Sequence, residues 1–388
     1  MKTRLVKLIS NLAILVVALL VGGLIVEIIL RVDGRYDDLT GENLIASVAI
    51  WDRPPGDRQS WQHPDLGYPV ESLYNDISIR NHAGNDKADI ENFGGDVVGF
   101  FGDSFTENRR VDDDFAFTSV LQKSLDPDQT LVLNFGIDGY GLDQSYLKYS
   151  SLAPGTLDRV FYVFFRNDFR NLYETQLFDF SDESRISLKP REVAWYIEPI
   201  RRLHLTYFSI ESYERIAALA GGLDTAGGGI WQTVKNVTQR LFSGQSVRFE
   251  DDYADAMVRD LMTGDPSERT TQWAANFRRL LETWRGRVAD DGGELIVIVL
   301  PHQNGTAIAR ALFATEFRGT VLFLASRIEG DFADYLFHND AHWNEAGNLI
   351  AAEAIGRWGD GRYWRFDESR FASLETELQA RITSLYAQ

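Results

Sequence analysis

The chain has 388 residues, a formal net charge of −18 at pH 7 and no cysteine. That length gives room for one large or two ordinary domains around a buried core. The missing cysteines exclude disulfides, thiolate metal sites and cysteine catalysis, and an acidic chain with no basic stripe excludes nucleic acid as a partner.

Lys2, Arg4 and Lys7 precede an apolar run from Leu12 to Leu30 whose only charge is Glu27. A membrane-spanning helix needs roughly 20 apolar residues, so residues 1–31 are expected to form a basic cytoplasmic flank and a single-pass anchor. Asp33, Asp37 and Asp38 follow, and this asymmetry predicts that the main body lies on the non-cytoplasmic, periplasmic or extracellular side. A cleaved signal peptide is the alternative, but no Ala-x-Ala site follows the run. Residues 32–95, with Pro54-Pro55 and many Gly, Asn and Asp, read as irregular structure, with Trp51 and Trp61 as packing residues.

The main domain of the chain is expected over 96–388. Val97–Phe101 is an apolar run of strand length that stops at Gly102-Asp103-Ser104. A serine at the carboxyl end of a sheet strand is placed where open α/β sheets bind ligands, and it acts as a nucleophile if a base comes within reach. Gly-Asp-Ser is also an ordinary turn sequence, and serine an ordinary helix N-cap. A helix is predicted over Phe115–Leu125 and a second strand over Leu131–Leu133. The loop Asn134–Gly141 holds Gly136, Gly139 and Gly141, which calls for positive φ or close backbone approach. Asp143 is the expected N-cap of a helix through Tyr149. A third strand, Val160–Phe165, ends at Arg166-Asn167-Asp168. Strands that alternate with helices and end in polar loops are the pattern of a parallel α/β sheet.

Residues 170–265 are too long for a normal crossover and are expected to be a mainly helical insertion, either a lid or a packing and docking extension. Regular order returns with a helix over Glu268–Val288, strands over Leu295–Leu300 and Val321–Ala325, and a last core helix over Glu345–Trp358. Just before that helix lies His338-Asn339-Asp340-Ala341-His342-Trp343. In an extended segment, residues two apart project to the same side, so the Asp340 carboxylate is placed to fix the His342 imidazole. Gly139 and Ser104 can offer backbone N–H groups and Asn167 a side-chain N–H to an oxyanion. Ser104, His342, Asp340 and these donors are the four parts an acyl-transfer site requires.

Gly-Asp-Ser-Phe, Asn-Phe-Gly-Ile-Asp-Gly-Tyr-Gly, Arg-Asn-Asp and Asp-Ala-His-Trp-Asn-Glu-Ala-Gly, in that order, resemble the SGNH hydrolase superfamily, the GDSL esterases and lipases. The resemblance covers 97–168 and 294–358. It implies a three-layer α/β/α domain with a five-stranded parallel, flavodoxin-like sheet and a serine ester hydrolase working through an acyl-serine. By resemblance Ser104 is the nucleophile, His342 the base, Asp340 its partner, and Ser104, Gly139 and Asn167 the oxyanion hole. No cofactor or metal is implied. The family's last motif usually has two residues between Asp and His, where this chain has one. Membrane-linked members acting on acetylated bacterial polysaccharides share the Asp-x-His-Trp pattern. This implies an O-acetyl or short acyl ester of an envelope glycan, or another small ester, as substrate. An O-acyltransferase of the same fold and a non-catalytic envelope scaffold are the alternatives. A protein partner is not indicated. The third block commonly has glycine where this chain has Phe165.

Other candidates carry less. His302 and His338 read as loop residues, and His63, His82 and His204 have no partner in sequence. Asp112-Asp113-Asp114 lacks calcium-ligand spacing and reads as a solvated loop, and Asp103 and Asp168 as acceptors for loop amides. Asn236-Val237-Thr238 matches a glycosylation acceptor.

Overall fold

The computed structural model describes residues 21–30, 52–53, 56–80, 90–182, 184–189, 253–301, 305–313, 317–328 and 332–387. The chain divides into two units, 1–51 with 190–246, and 52–189 with 247–388. In the first, residues 21–30 are helical. The rest of the expected anchor lies outside the described residues, as do Trp51, His82, His204, Asn236 and His302. Among the described residues no helix is long and apolar enough to cross a membrane.

The second unit opens with Arg58–Gln62 (β1) and Pro69–Leu73 (β2), an antiparallel hairpin that sets Trp61 opposite Val70. Residues 58–62 and 69–73 thus depart from the mostly irregular structure expected over 32–95. Alternation of buried Val70 and Ser72 with exposed neighbours gives β2 one inward face. The segments that follow are Asp96–Gly102 (β3), Ser104–Glu107 (α1), Phe117–Ser124 (α2), Thr130–Asn134 (β4), Leu142–Ser150 (α3), Arg159–Phe164 (β5) and Arg166–Thr175 (α4). A short pair, Phe178–Asp179 (β6) and Ser187–Leu188 (β7), leads out of this region. Tyr253–Leu261 (α5), Glu268–Asp290 (α6), Glu294–Val299 (β8), Gly305–Phe313 (α7), Thr320–Phe323 (β9), Glu345–Gly359 (α8) and Glu368–Tyr386 (α9) complete it.

Five strands form one parallel sheet in the order β4-β3-β5-β8-β9. This is the flavodoxin-like winding, with helices on both faces. β3 lies inside the sheet, between β4 and β5, which is why its residues are apolar almost without interruption. Successive side chains point to opposite faces, and Phe100 and Phe101 show it. Phe100 stacks on Phe161 at 4.8 Å and meets Phe117 of α2 edge-on, in a core shared with Leu349 and Ile355 of α8 and Phe371 of α9. Phe101 stacks on Phe135 at 4.6 Å and meets Trp284 of α6 edge-on at 5.6 Å. The layers are therefore α2, α8 and α9 on one side, and α3 and α6 on the other.

Three further sequence expectations are corrected. α2 starts at Phe117, after a 3-10 turn over Asp113–Phe115. Asp143 does not cap α3: Gly141 occupies the cap, and its N–H donates to Gln144 Oε1 at 3.0 Å. Asp143 is instead buried, accepting from the Gln144 N–H at 2.9 Å and from the Thr175 hydroxyl. Finally, α8 is not the last helix. α9 follows, capped by Asp367 on the amides of Ser369 and Arg370, and buries Phe371 and Leu378.

Candidate active site

β3 delivers its last residues to the carboxyl edge of the sheet and turns at once into α1. Gly102 is required there by close approach: a Cβ would lie 2.4 Å from Thr106 Oγ1 and 2.7 Å from the Val163 carbonyl oxygen. Asp103 is the N-cap, accepting from the Phe105 N–H at 2.9 Å. Ser104 is the first helical residue, so its own N–H has no intrahelical acceptor. Burial pushes the Asp103 carboxyl up to about 6, while the Phe105 amide and the Asn167 side chain beside it favour its charged form.

The Ser104 hydroxyl is 2.6 Å from His342 Nε2. On its other side the imidazole Nδ1 is hydrogen-bonded to Asp340 Oδ1. Because Nδ1–H donates to the carboxylate, Nε2 presents a lone pair to the serine hydroxyl. The reasoning for the two-residue spacing is corrected, however. The segment is not extended: the His342 backbone N–H also donates to Asp340 Oδ1 at 3.0 Å, forming an Asx turn. One carboxylate oxygen thus holds both the amide and the ring of the same histidine, which makes the one-residue spacing workable.

Asp340 Oδ2 accepts from Arg110 Nε at 2.7 Å, a partner that no motif or spacing announces. Burial alone would raise the Asp340 carboxyl; the hydrogen bonds from His342 and Arg110 outweigh it and hold this carboxyl far below the usual carboxylate range.

The loop that carries Gly139 packs beneath the same turn. Gly139 has φ +80°, a conformation that favours glycine. The amides of Phe135, Gly136, Ile137, Asp138, Tyr140 and Gly141 are all taken by acceptors. Among the described residues the Gly139 N–H has none, as an oxyanion donor requires. Glu107 fixes this loop: its Oε2 accepts the Asp138 N–H at 2.8 Å, while Oε1 accepts from Tyr74 at 2.6 Å and Arg53 Nε at 2.7 Å. Burial of Glu107 is overcome by Arg53, and its carboxyl is lowered. Asn167, the second residue of α4, sets its side chain against Asp103, and among the described residues its buried Oδ1 has no partner. A primary amide carries two N–H groups, so one engaged with Asp103 leaves one for a ligand.

Phe105 is the floor of the imidazole, with ring centroids 4.9 Å apart, and it packs in turn on Phe165 at 4.4 Å and edge-on to Trp343 at 5.6 Å. Trp343 is buried and fastens the histidine loop to the core.

The remaining candidates divide. Asp168 accepts from the Phe165 N–H at 3.1 Å and the Tyr162 hydroxyl at 2.7 Å, and burial raises its carboxyl. The 112–114 run is not simply a solvated loop: Asp113 pairs with Arg80 at 2.6 Å, and Asp114 with Lys123 and Arg381. His338 has its side chain 87% exposed. His63, in contrast, is buried against Glu345 with 2.9 Å between Nε2 and Oε1. Arg109 pairs with Asp138 and lies 3.6 Å from the Trp61 ring centroid.

The sequence matches no family model and no curated protein. Solved structures similar to it include a protein described as lipolytic and of the G-D-S-L family from Desulfitobacterium hafniense DCB-2. It shares 12% identity at a TM-score of 0.34, over 67% of this chain and 98% of that one. Another is a catalytic mutant of an acetylxylan esterase from Geobacillus stearothermophilus, with 11% identity and a TM-score of 0.34, over 68% of this chain and 93% of that one. Neither likeness bears on the chemistry, which rests on the geometry just described.

Proposed function

We propose that this chain is a serine ester hydrolase of the SGNH type, acting through an acyl-serine. The observation that carries this reading is the unbroken contact from Ser104 Oγ to His342 Nε2, at 2.6 Å, and from Nδ1 to Asp340. His342 takes the Ser104 proton as Oγ bonds to the ester carbonyl carbon. The oxyanion is held by the N–H groups of Ser104 and Gly139 and by the Asn167 amide. The imidazolium then gives its proton to the departing alkoxide, which leaves as the alcohol. In the second half His342 deprotonates a water, whose oxygen attacks the acyl-serine, and the acid departs as Ser104 regains its proton. Asp340 stays ionised throughout and steadies the imidazolium.

The substrate proposed is an O-acetyl or short acyl ester on an envelope glycan. The Asp340-Ala341-His342-Trp343 pattern and the apolar N-terminal run, read as a membrane anchor, support it. The test is hydrolysis of an aryl acetate and of an O-acetylated glycan by the full-length chain. Acetate should be released by wild type and not by Ser104→Ala. Equal release by both proteins would overturn the mechanism, and acyl mass gained by a glycan acceptor would make the chain a transferase.

A further inference from the structure

The arm that carries His342 is a loop, and what holds it comes from the opposite end of the chain. The loop is closed at its base by the Leu336–Trp343 bridge and by the Phe337 N–H donating to the His342 carbonyl at 3.0 Å. At its tip two amides converge on one carboxylate. The His338 N–H donates to Asp65 Oδ2 and the Asn339 N–H to Asp65 Oδ1, each at 3.0 Å, and Asn339 Nδ2 adds a contact of 3.2 Å. The Asp65 side chain is 8% exposed. Burial raises its carboxyl, but the two amides outweigh burial and lower it.

Asp65 is itself presented by a tight turn between β1 and β2. His63 and Tyr68 close that turn at 2.8 Å, and Gly67 N–H donates to the His63 carbonyl at 2.8 Å. His63 Nδ1 accepts the Leu66 N–H at 3.1 Å, which places its proton on Nε2, facing Glu345 Oε1 at 2.9 Å. Glu345 opens α8, three residues after His342. The hairpin therefore grips the histidine loop on both sides, by Asp65 at its tip and by His63 where it enters the helix.

We propose that Asp65 is a positioning residue, a carboxylate that holds the 338–339 amides so that the Asp340–His342 pair stands over Ser104. The proposal rests on the hydrolase reading for its kinetic consequence but not for its geometric one. The turn that bears Ser104 is capped by its own neighbour, Asp103, whereas the acceptor of the 338 amide lies 273 residues away.

The test uses the full-length chain labelled with 15N-histidine, with the His342 resonances assigned by their loss in His342→Gln. Asp65→Ala should broaden or abolish the His342 Nδ1–H resonance. It should also lower kcat for an aryl acetate by about 10- to 100-fold, as misplacement of a catalytic group does. KM should stay within about twofold. Asp65→Asn keeps one acceptor oxygen and should fall between. It also serves as the deciding variant should the alanine protein fail to fold. His338→Ala removes an exposed ring and its 3.3 Å contact with Asp65 Oδ2 but leaves both amides on the carboxylate, and should match wild type throughout. An unchanged resonance and kcat in Asp65→Ala would overturn the proposal, as would a lower Tm with both unchanged. If wild type hydrolyses no ester, the hydrolase reading fails, and the resonance comparison still decides the role of Asp65.

Discussion

The proposed nucleophile and the proposed base are built in opposite ways. Ser104 follows the end of β3, an interior strand, and is 6% exposed in a turn whose residues from Phe101 to Asn108 are all buried. Its cap, Asp103, is adjacent in sequence, and its glycine fits because backbone and side chains crowd that point. His342 rides on a half-exposed loop that is steadied by Asp65, 273 residues away from His338 along the chain, and by Arg110, 230 residues from Asp340. The Ser104 turn takes its cap from the adjacent residue, although Arg53 and Tyr74 brace Glu107 behind it; the histidine loop takes the acceptor at its tip and its cation from remote segments. A site of this kind has one fixed partner and one that depends on correct assembly of the chain's N-terminal hairpin.

Four changes break or sharpen that contrast. The largest effect is expected from Ser104→Ala, which removes the reacting atom while disturbing neither arm: kcat should fall by about 10⁴ or more, with the unfolding midpoint unchanged. Next is Glu107→Ala, which strikes the nucleophile side. It removes the Glu107 carboxylate from the buried Arg53 and Tyr74 and frees the Asp138 amide, so urea denaturation should show a loss of about 3–5 kcal/mol. A loss below about 1 kcal/mol would mean the pair is not the anchor of that loop.

The third change concerns pH. Burial raises the Asp143 carboxyl to about 7, against about 3.9 in an unfolded chain. The folded state therefore holds a proton that the unfolded state has lost, and the stability this group contributes at low pH is lost as pH rises from about 4 to about 7. Asp143→Asn, whose side-chain oxygen still accepts from Thr175, should lose less stability than wild type across that window, by an amount on the order of a few kcal/mol. Parallel slopes for the two proteins would contradict the assignment.

The smallest change probes where the two arms touch. Phe165 supports Phe105, which supports the imidazole. Phe165→Gly opens that wall, and the ratio of butyrate to acetate ester turnover should rise by about 3- to 10-fold, the discrimination that roughly one or two methylenes produce in an apolar pocket. An unchanged ratio would remove Phe165 from the pocket wall.

The contrast also explains what was legible in the sequence. The five strands announce themselves because both faces of a parallel sheet are covered, so Val97–Phe101 or Val160–Phe164 need nothing but apolar residues. Gly-Asp-Ser and the Asp340–His342 pair were readable because their partners are neighbours in sequence. The Asp143 cap was misread because a short acid before an apolar-periodic segment has the same pattern whether it caps a helix or is buried beside one. The β1–β2 hairpin was hidden by a composition rich in turn residues, although Ser60-Trp61-Gln62 and Val70-Glu71-Ser72 do alternate weakly. Helix α9 did carry a signal: Phe371, Leu374, Leu378, Ile382 and Leu385 recur at helical spacing and pack on the core. His63, Asp65 and Arg110 carried none, since an ion pair or amide clamp across hundreds of residues leaves no periodicity behind.

The most direct measurement is to treat the full-length chain with a fluorophosphonate and locate the adduct by peptide mass. The account predicts a single covalent phosphonyl adduct on the peptide bearing Ser104, absent in Ser104→Ala and formed far more slowly in His342→Gln. An adduct on a different serine, or labelling at position 104 that is indifferent to His342, would contradict it.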